Sequence, residues 1–198
     1  MEVGRLARQY EVPRPDDAAA EADAVFTAIF DEYFGRIHRY LIAVVHDSQL
    51  AEDLAQETFV KVYQTLRMSP AASASAPPVV RNLNAWLYTI ATNTAFSALR
   101  RRRLFGWLPL YASSEVERKT TDHPLEEVVG DRGLLRQALA QLPRSDVSCL
   151  LLRFQEGLSY EEMAAVFGSS VPAMKMRLSR ARAAFREIYL RLSQEANA

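Results

Sequence analysis

EGLSYEEMAAVFGSSVPAMKMRLSRARAAFREI, residues 156–188, reads as two helices joined by a tight turn. Ser159 is placed to cap the first helix, and Glu162 three residues on completes an S-x-x-E capping box. Met163, Ala164 and Phe167 supply its inward face, with Ala164 small where a second helix must cross closely. Gly168 ends it, because glycine admits a left-handed backbone; Ser170 can cap the next helix, and Pro172 falls in that helix's first turn, where a missing N–H costs little. The pattern is a helix-turn-helix. The second helix sorts its residues by chemistry: Met174, Leu178, Ala181 and Phe185 recur on one apolar face, while Lys175, Arg177, Arg180, Arg182 and Arg186 point elsewhere, with no acid among them until Glu187. Such a donor-rich cationic face suits phosphates and guanine edges in a major groove, the alternative being a solvated basic helix.

Outward from this stretch, the 198 residues with 49% hydrophobic content suffice for one large domain or two small ones, and two compact helical units are expected. Lys+Arg 24 balance Asp+Glu 24, so the chain as a whole has no reason to adhere to nucleic acid. Its charges are segregated instead: Arg100 to Arg103 and Lys175 to Arg191 are basic, Asp47 to Glu57 and Glu115 to Asp131 mostly acidic. DNA binding should therefore be local and assisted by a partner. Cys149 is the one cysteine, which precludes an internal disulfide and a cysteine-based zinc site, and its apolar neighbours Val147, Leu150 and Leu151 indicate a buried structural thiol. His38, His46 and His123 show no paired ligand spacing, so neither metal nor cofactor is expected. The amino terminus, with Glu2, Pro13, Pro15, Asp16 and Asp17, lacks a basic stretch followed by an apolar run. Nor is there an uninterrupted apolar segment of about 18 residues, so a soluble cytoplasmic protein without stable membrane insertion is expected.

Residues 1 to about 22 mix Pro, Ala and acids and read as a disordered tail. From Asp23 apolar residues recur at three and four, Phe26 through Val45, which predicts a long helix with a broad buried face. Asp47 or Ser48 opens the next helix, with Ala51, Leu54, Ala55, Phe59, Val62 and Leu66 inward and Glu52, Asp53, Gln56 and Glu57 outward. Lys61 can compensate Glu57 at i+4, whereas Glu52 and Asp53 have no such neighbour, leaving a patch open to a cationic partner, or simply a solvated first turn. Residues 69–82, rich in Pro, Ala and Ser, form a connection; Asn84 is then expected to cap AWLYTIATNTAFSALRRRR. On this helix Trp86, Asn93, Ser97 and Arg100 share one face. Aromatic, amide, hydroxyl and guanidinium in line make a nucleic-acid surface, or else a half-buried Trp above a solvated stripe. Residues 104–111 are apolar but too short to span a bilayer; 112–130 form an acidic linker; helices at Leu134 to Leu142 and Arg144 to Phe154 precede the helix-turn-helix. No Gly-rich phosphate loop, Ser/His/Asp set or metal-binding carboxylate cluster is found, so the chain is not expected to be an enzyme.

Both halves together resemble the extracytoplasmic-function sigma factors of bacterial RNA polymerase, within the sigma-70 family. The resemblance rests on AEDLAQETFVKVY at 51–63, AWLYTIATNTAFSALRRRR at 85–103, ALAQLPRSDVSCLLLRFQEGLSYEEMAAVFG at 138–168 and SVPAMKMRLSRARAAF after it. It implies an all-α fold of two small helical domains joined by a flexible linker: a tail at 1–22, a region 2 domain at 23–111, the linker at 112–130, and a region 4 helix-turn-helix domain at 131–192. It implies a promoter-specificity subunit whose Asp53, Gln56 and Glu57 dock on the beta-prime clamp helices of core RNA polymerase, with the beta flap as a second contact. The W-L-Y-x-I-A-x-N pattern maps onto Trp86, Leu87, Tyr88, Ile90, Ala91 and Asn93 and implies minus-10 recognition and melting by Trp86, Asn93, Ser97, Arg100 and Arg101, with the 69–82 loop shaping a pocket for a flipped base. The helix-turn-helix implies a minus-35 reader working through Lys175, Met176, Ser179 and Arg180, with Arg177 and Arg182 on phosphates. Promoter DNA is thus an implied partner, and an anti-sigma factor a further candidate. Ser97 stands where such factors often carry Asp, and Met176 sits at a usually small or polar contact position.

Overall fold

The computed structural model describes residues 15–68, 82–105 and 131–196, and among these the elements are all α-helices. In chain order they are α1 (Pro15–Val45), α2 (Ser48–Met68), α3 (Leu83–Phe105), α4 (Asp131–Ala140), α5 (Arg144–Phe154), α6 (Tyr160–Phe167) and α7 (Val171–Ala196). Residues 69–81 of the expected 69–82 loop and the expected linker at 112–130, together with residues 1–14 and 106–111, lie outside the described residues. α1 begins at Pro15, so residues 15–22 are helical, which corrects their reading as part of a tail. Proline in a first turn gives up an N–H that would be unbonded anyway, and the alanine-rich run after it favours helix.

α1 is the spine, touching α2, α3, α4 and α5. Ile29, Tyr33, Ile37, Leu41 and Val44 run down its buried face at helical spacing. Phe59 of α2 is ringed by Phe26, Phe30 and Phe34 of α1 at centroid distances of 6.5, 5.1 and 5.7 Å. Edge and tilted contacts of this kind add to the burial of the rings. Phe30 sits at the rim of the cluster, 36% exposed, because the aromatic band on α1 is wider than the face α2 covers.

Helix ends explain the boundaries. His46 closes α1 with φ 56, an unusual left-handed backbone for a non-glycine residue, its N–H bonding the Ile42 carbonyl at 2.9 Å. Asp47 then caps α2 by accepting from the Leu50 N–H at 3.0 Å, which selects it over Ser48. α3 is capped by Asn82, which accepts from the Ala85 N–H at 2.9 Å; this corrects the expectation that Asn84 does so. Asn84 is engaged elsewhere, its amide donating to the Glu156 carbonyl at 3.0 Å.

In the second lobe Pro143 precedes α5, and α7 packs on α4, α5 and α6. α6 has the predicted capping box: Glu162 N–H donates to Ser159 Oγ at 3.2 Å, and Ser159 N–H donates to Glu162 Oε2 at 2.7 Å. Gly168 ends α6 in the left-handed conformation, φ 58. Ser170 accepts from Ala173 N–H at 3.4 Å at the start of α7. Met163, Met174, Leu178 and Ala181 form the seam between the two helices and are buried, with Phe167 and Phe185 half-buried beside them. Cys149 is fully buried in this core, and burial pushes its thiol up to about 11.

The two lobes are packed directly against each other. α5 lies on α1 and α6 on α3, and the buried residues of both halves form one continuous cluster.

Two substitutions test the helix-turn-helix geometry. A Cβ at Gly168 would meet no atom within 4 Å, so Gly168→Ala should cost only the left-handed backbone strain, about 1–2 kcal/mol. Ser159→Ala should cost about 1 kcal/mol through the lost cap. Urea unfolding would read both, and a neutral Gly168→Ala would contradict the turn as described.

Candidate nucleic-acid and polymerase interfaces

Three surfaces carry the candidate residues. On α2, Asp53 and Gln56 are exposed and Glu57 half-exposed along one face. Glu57 pairs with Lys61 at 2.7 Å, as the spacing predicts, and the same ammonium donates to Thr94 Oγ1 of α3 at 2.9 Å. Among the described residues no ion pair involves Glu52 or Asp53, so that end of the face keeps its charge unneutralised. Exposed charges here retain their hydration and are available to a cationic partner at little desolvation cost.

On α3, Asn93, Arg100 and Arg101 are exposed, Ser97 is half-buried, and Trp86 is half-buried against the core. The stripe is therefore open at its centre and C-terminal end and anchored at its N-terminal end by the indole. Arg102 is not free: it donates to Asp47 Oδ2 at 3.0 Å, tying the end of α3 to the start of α2. The Leu50 N–H and then the Arg102 guanidinium hold the Asp47 carboxyl below its usual range. Tyr88, two positions after Trp86 and part of the same sequence pattern, is wholly buried, with its ring 5.1 Å from that of Tyr40. It contributes to the core rather than to a surface, and burial raises its hydroxyl pKa well above the ordinary range, the nearby Glu156 carboxylate adding to this.

On α7, Lys175, Met176, Arg177, Ser179, Arg180 and Arg182 are all exposed, opposite the buried Met174, Leu178 and Ala181. Two of these side chains rest on aromatic faces of α6. The Lys175 ammonium lies 5.4 Å from the Tyr160 ring centroid, whose ring also carries Arg153 at 4.9 Å, and Arg177 lies 5.6 Å from the Phe167 ring. Arg180 donates to the Met176 thioether at 3.1 Å. Nothing in the sequence spacing announces the contacts of Lys175, Arg153 and Arg177 with these rings, because the rings belong to the neighbouring helix, whereas Arg180 and Met176 stand four apart on α7 itself.

The α3 and α7 stripes thus belong to different lobes, with α6 packed against both helices. Among the described residues no helix is long and apolar enough to cross a membrane.

Comparison with known proteins agrees with this layout. The family model described as Sigma-70 region 2 matches residues 29–105, and that described as Sigma-70, region 4 matches residues 132–185. The RNA polymerase sigma-H factor of Pseudomonas aeruginosa is 33% identical over 86% of this chain and 89% of its own length. The ECF RNA polymerase sigma factor BldN of Streptomyces coelicolor is 32% identical over 79% of this chain and 57% of its own. Among solved structures, the sigma factor RpoE of Bartonella quintana, in complex with the anti-sigma factor NepR, superposes with a TM-score of 0.63 at 27% identity, covering 82% of this chain and 95% of that one.

Asp47→Ala should remove the α2 cap and release Arg102, lowering stability by about 1 kcal/mol at neutral pH. Because the folded-state pKa of Asp47 is depressed, its contribution is present above the unfolded-state value and is lost as pH falls through the folded one. The stability gap between wild type and variant, read by urea titration, should therefore close in acid; a gap that persists there would contradict the assignment.

Proposed function

The chain belongs to the sigma-70 family of RNA polymerase sigma factors, in the extracytoplasmic-function class, and directs core polymerase to specific promoters; on that premise we propose that three faces divide the work. Asp53, Gln56 and Glu57 receive the beta-prime clamp helices of core polymerase. Trp86, Asn93, Ser97, Arg100 and Arg101 take the minus-10 element once strands separate. Lys175, Met176, Arg177, Ser179, Arg180 and Arg182 read the minus-35 duplex. Residues 23–111 then act as the core-docking and minus-10 domain, 112–130 as the linker and 131–192 as the minus-35 domain, which also meets the beta flap.

The observation that carries this reading is the exposure of the whole α7 stripe on a helix whose opposite face is buried against α4, α5 and α6. A major groove admits such a helix, and guanidinium and ammonium groups reach guanine edges and phosphates from it. The exposed amide of Asn93 and the guanidinium of Arg100 suit an unpaired base and its backbone in the same way. The chain acts as a specificity subunit in the cytoplasm and catalyses no reaction of its own. An anti-sigma factor is a further candidate partner, since the Bartonella relative is held by one.

Run-off transcription with core enzyme, with and without the protein, tests the reading as a whole. Glu57→Lys should weaken core binding with helical content unchanged. Arg180→Ala should reduce closed-complex formation on duplex promoters, at a cost of about 1–3 kcal/mol. Asn93→Ala should leave upstream footprints intact and lower permanganate reactivity at the minus-10 element. Equal loss of binding and opening in both variants on every template would defeat the division of labour, and specific duplex binding without polymerase would favour a stand-alone regulator.

A further inference from the structure

Of the five methionines, Met163 and Met174 are buried between α6 and α7, and Met1 lies outside the described residues. The other two face solvent. Met68, 82% exposed, ends α2 about three turns beyond Glu57. Met176, 56% exposed, stands in the α7 stripe between Lys175 and Arg177. Its sulfur accepts from the Arg180 guanidinium at 3.1 Å, and residues four apart on a helix keep such a pair on one face.

A thioether sulfur is a weak acceptor, and a guanidinium has five N–H donors, so this contact steers Arg180 without consuming it. A guanine edge, offering O6 and N7 together, readily takes the guanidinium from the sulfur. A sulfoxide would not release it so easily. Its oxygen carries a large partial negative charge and sits one helical turn from the same cation, and charge-assisted hydrogen bonds are roughly twice as strong as neutral ones. Oxidation also makes a flexible apolar side chain polar, so any contact of Met176 with a thymine methyl is lost as well.

The chemistry requires a peroxide. The sulfur lone pair attacks one oxygen of hydrogen peroxide, the S–O bond forms and the O–O bond breaks. The departing hydroxide takes the proton left on the transferred oxygen and leaves as water, so sulfur loses two electrons and the peroxide gains them. Other sulfur atoms of the same lobe are shielded. Met163 and Met174 are 0% and 1% exposed, and Cys149 is buried with its thiol held protonated, whereas thiols oxidise through the thiolate.

We propose that Met176 is a reversible oxidation site on the minus-35 face: hydrogen peroxide converts its thioether to the sulfoxide, whose oxygen captures the Arg180 guanidinium and loosens the grip on duplex DNA. The inference rests on the assignment of α7 to the minus-35 element. Methionine sulfoxide reductases reverse the step, two electrons from a dithiol returning the thioether and the oxygen leaving as water.

The test uses the full chain with Met68→Leu, treated with hydrogen peroxide, cleared with catalase and then joined to untreated core polymerase. Peptide mass spectrometry should show Met176 gaining one oxygen ahead of Met163 and Met174, with helical content unchanged. Holoenzyme affinity for a duplex promoter should fall about tenfold, the lower part of what a base-reading arginine is worth, and a pair of reductases for the two sulfoxide epimers should restore it. Met176→Leu, whatever its starting affinity, should be unmoved by peroxide. Met176→Gln, which sets an amide oxygen one turn from Arg180, should reproduce the loss without an oxidant. Oxidation of Met176 no faster than that of the buried pair, unaltered duplex binding after oxidation, or an equal loss in treated Met176→Leu would overturn the switch. Untreated holoenzyme indifferent to the minus-35 element would instead overturn the promoter reading on which it rests.

Discussion

A carboxylate withdrawn from water obliges its surroundings to supply donors, and the burial of Glu156 places that obligation at the centre of this protein. Glu156 stands in the bend between α5 and α6, where Gly157 turns with φ 72 and the Leu158 N–H returns to the Leu152 carbonyl at 2.9 Å. Its carboxylate takes Arg36 of α1 and the Gln155 amide, and its carbonyl takes Asn84 of α3. The bend that launches the helix-turn-helix is therefore held by residues of the other lobe. Arg153, donating to the Leu158 carbonyl at 2.7 Å, secures it from within its own.

The elements were legible wherever periodicity and end chemistry coincide. Ser159, Glu162 and Gly168 announce α6 because each acts on backbone within a few residues of itself, and the alternation of Met174, Leu178 and Ala181 with cations separates the two faces of α7. The misassigned cap of α3 shows where local reasoning stops. Asn82 and Asn84 are equally good capping residues, and the choice is made by a carbonyl 72 positions away that captures the amide of Asn84. Pro15 was compatible with either a coil or a first helical turn, and the alanines after it tip the balance. The contact between the lobes was hidden for a related reason: Tyr40 and Ser148 look like ordinary members of apolar helical runs, and only tertiary structure brings their hydroxyls together.

The candidate surfaces follow the same rule. Exposure of the α7 stripe and of Asp53 and Gln56 could be read from spacing, since a residue opposite a buried row must face solvent. Spacing does not reveal that Arg102 is committed to Asp47, or that Lys61 serves Glu57 and Thr94 together. Zero net charge is consistent with both outcomes, because the acids and bases that pair across helices do not stand out in a sum.

The rings beneath the α7 cations carry a consequence for the thermodynamics of recognition. A long cationic side chain that swings freely in solution loses rotamer entropy when it meets a ligand, about 0.5–1.5 kcal/mol for each chain immobilised. Lys175 and Arg177 already rest on Tyr160 and Phe167, so part of that ordering is completed when the protein folds rather than when DNA arrives. Recognition by this helix should accordingly carry a smaller entropic penalty than the number of its flexible cations suggests, because the aromatic residues of α6 have narrowed their conformational choices beforehand.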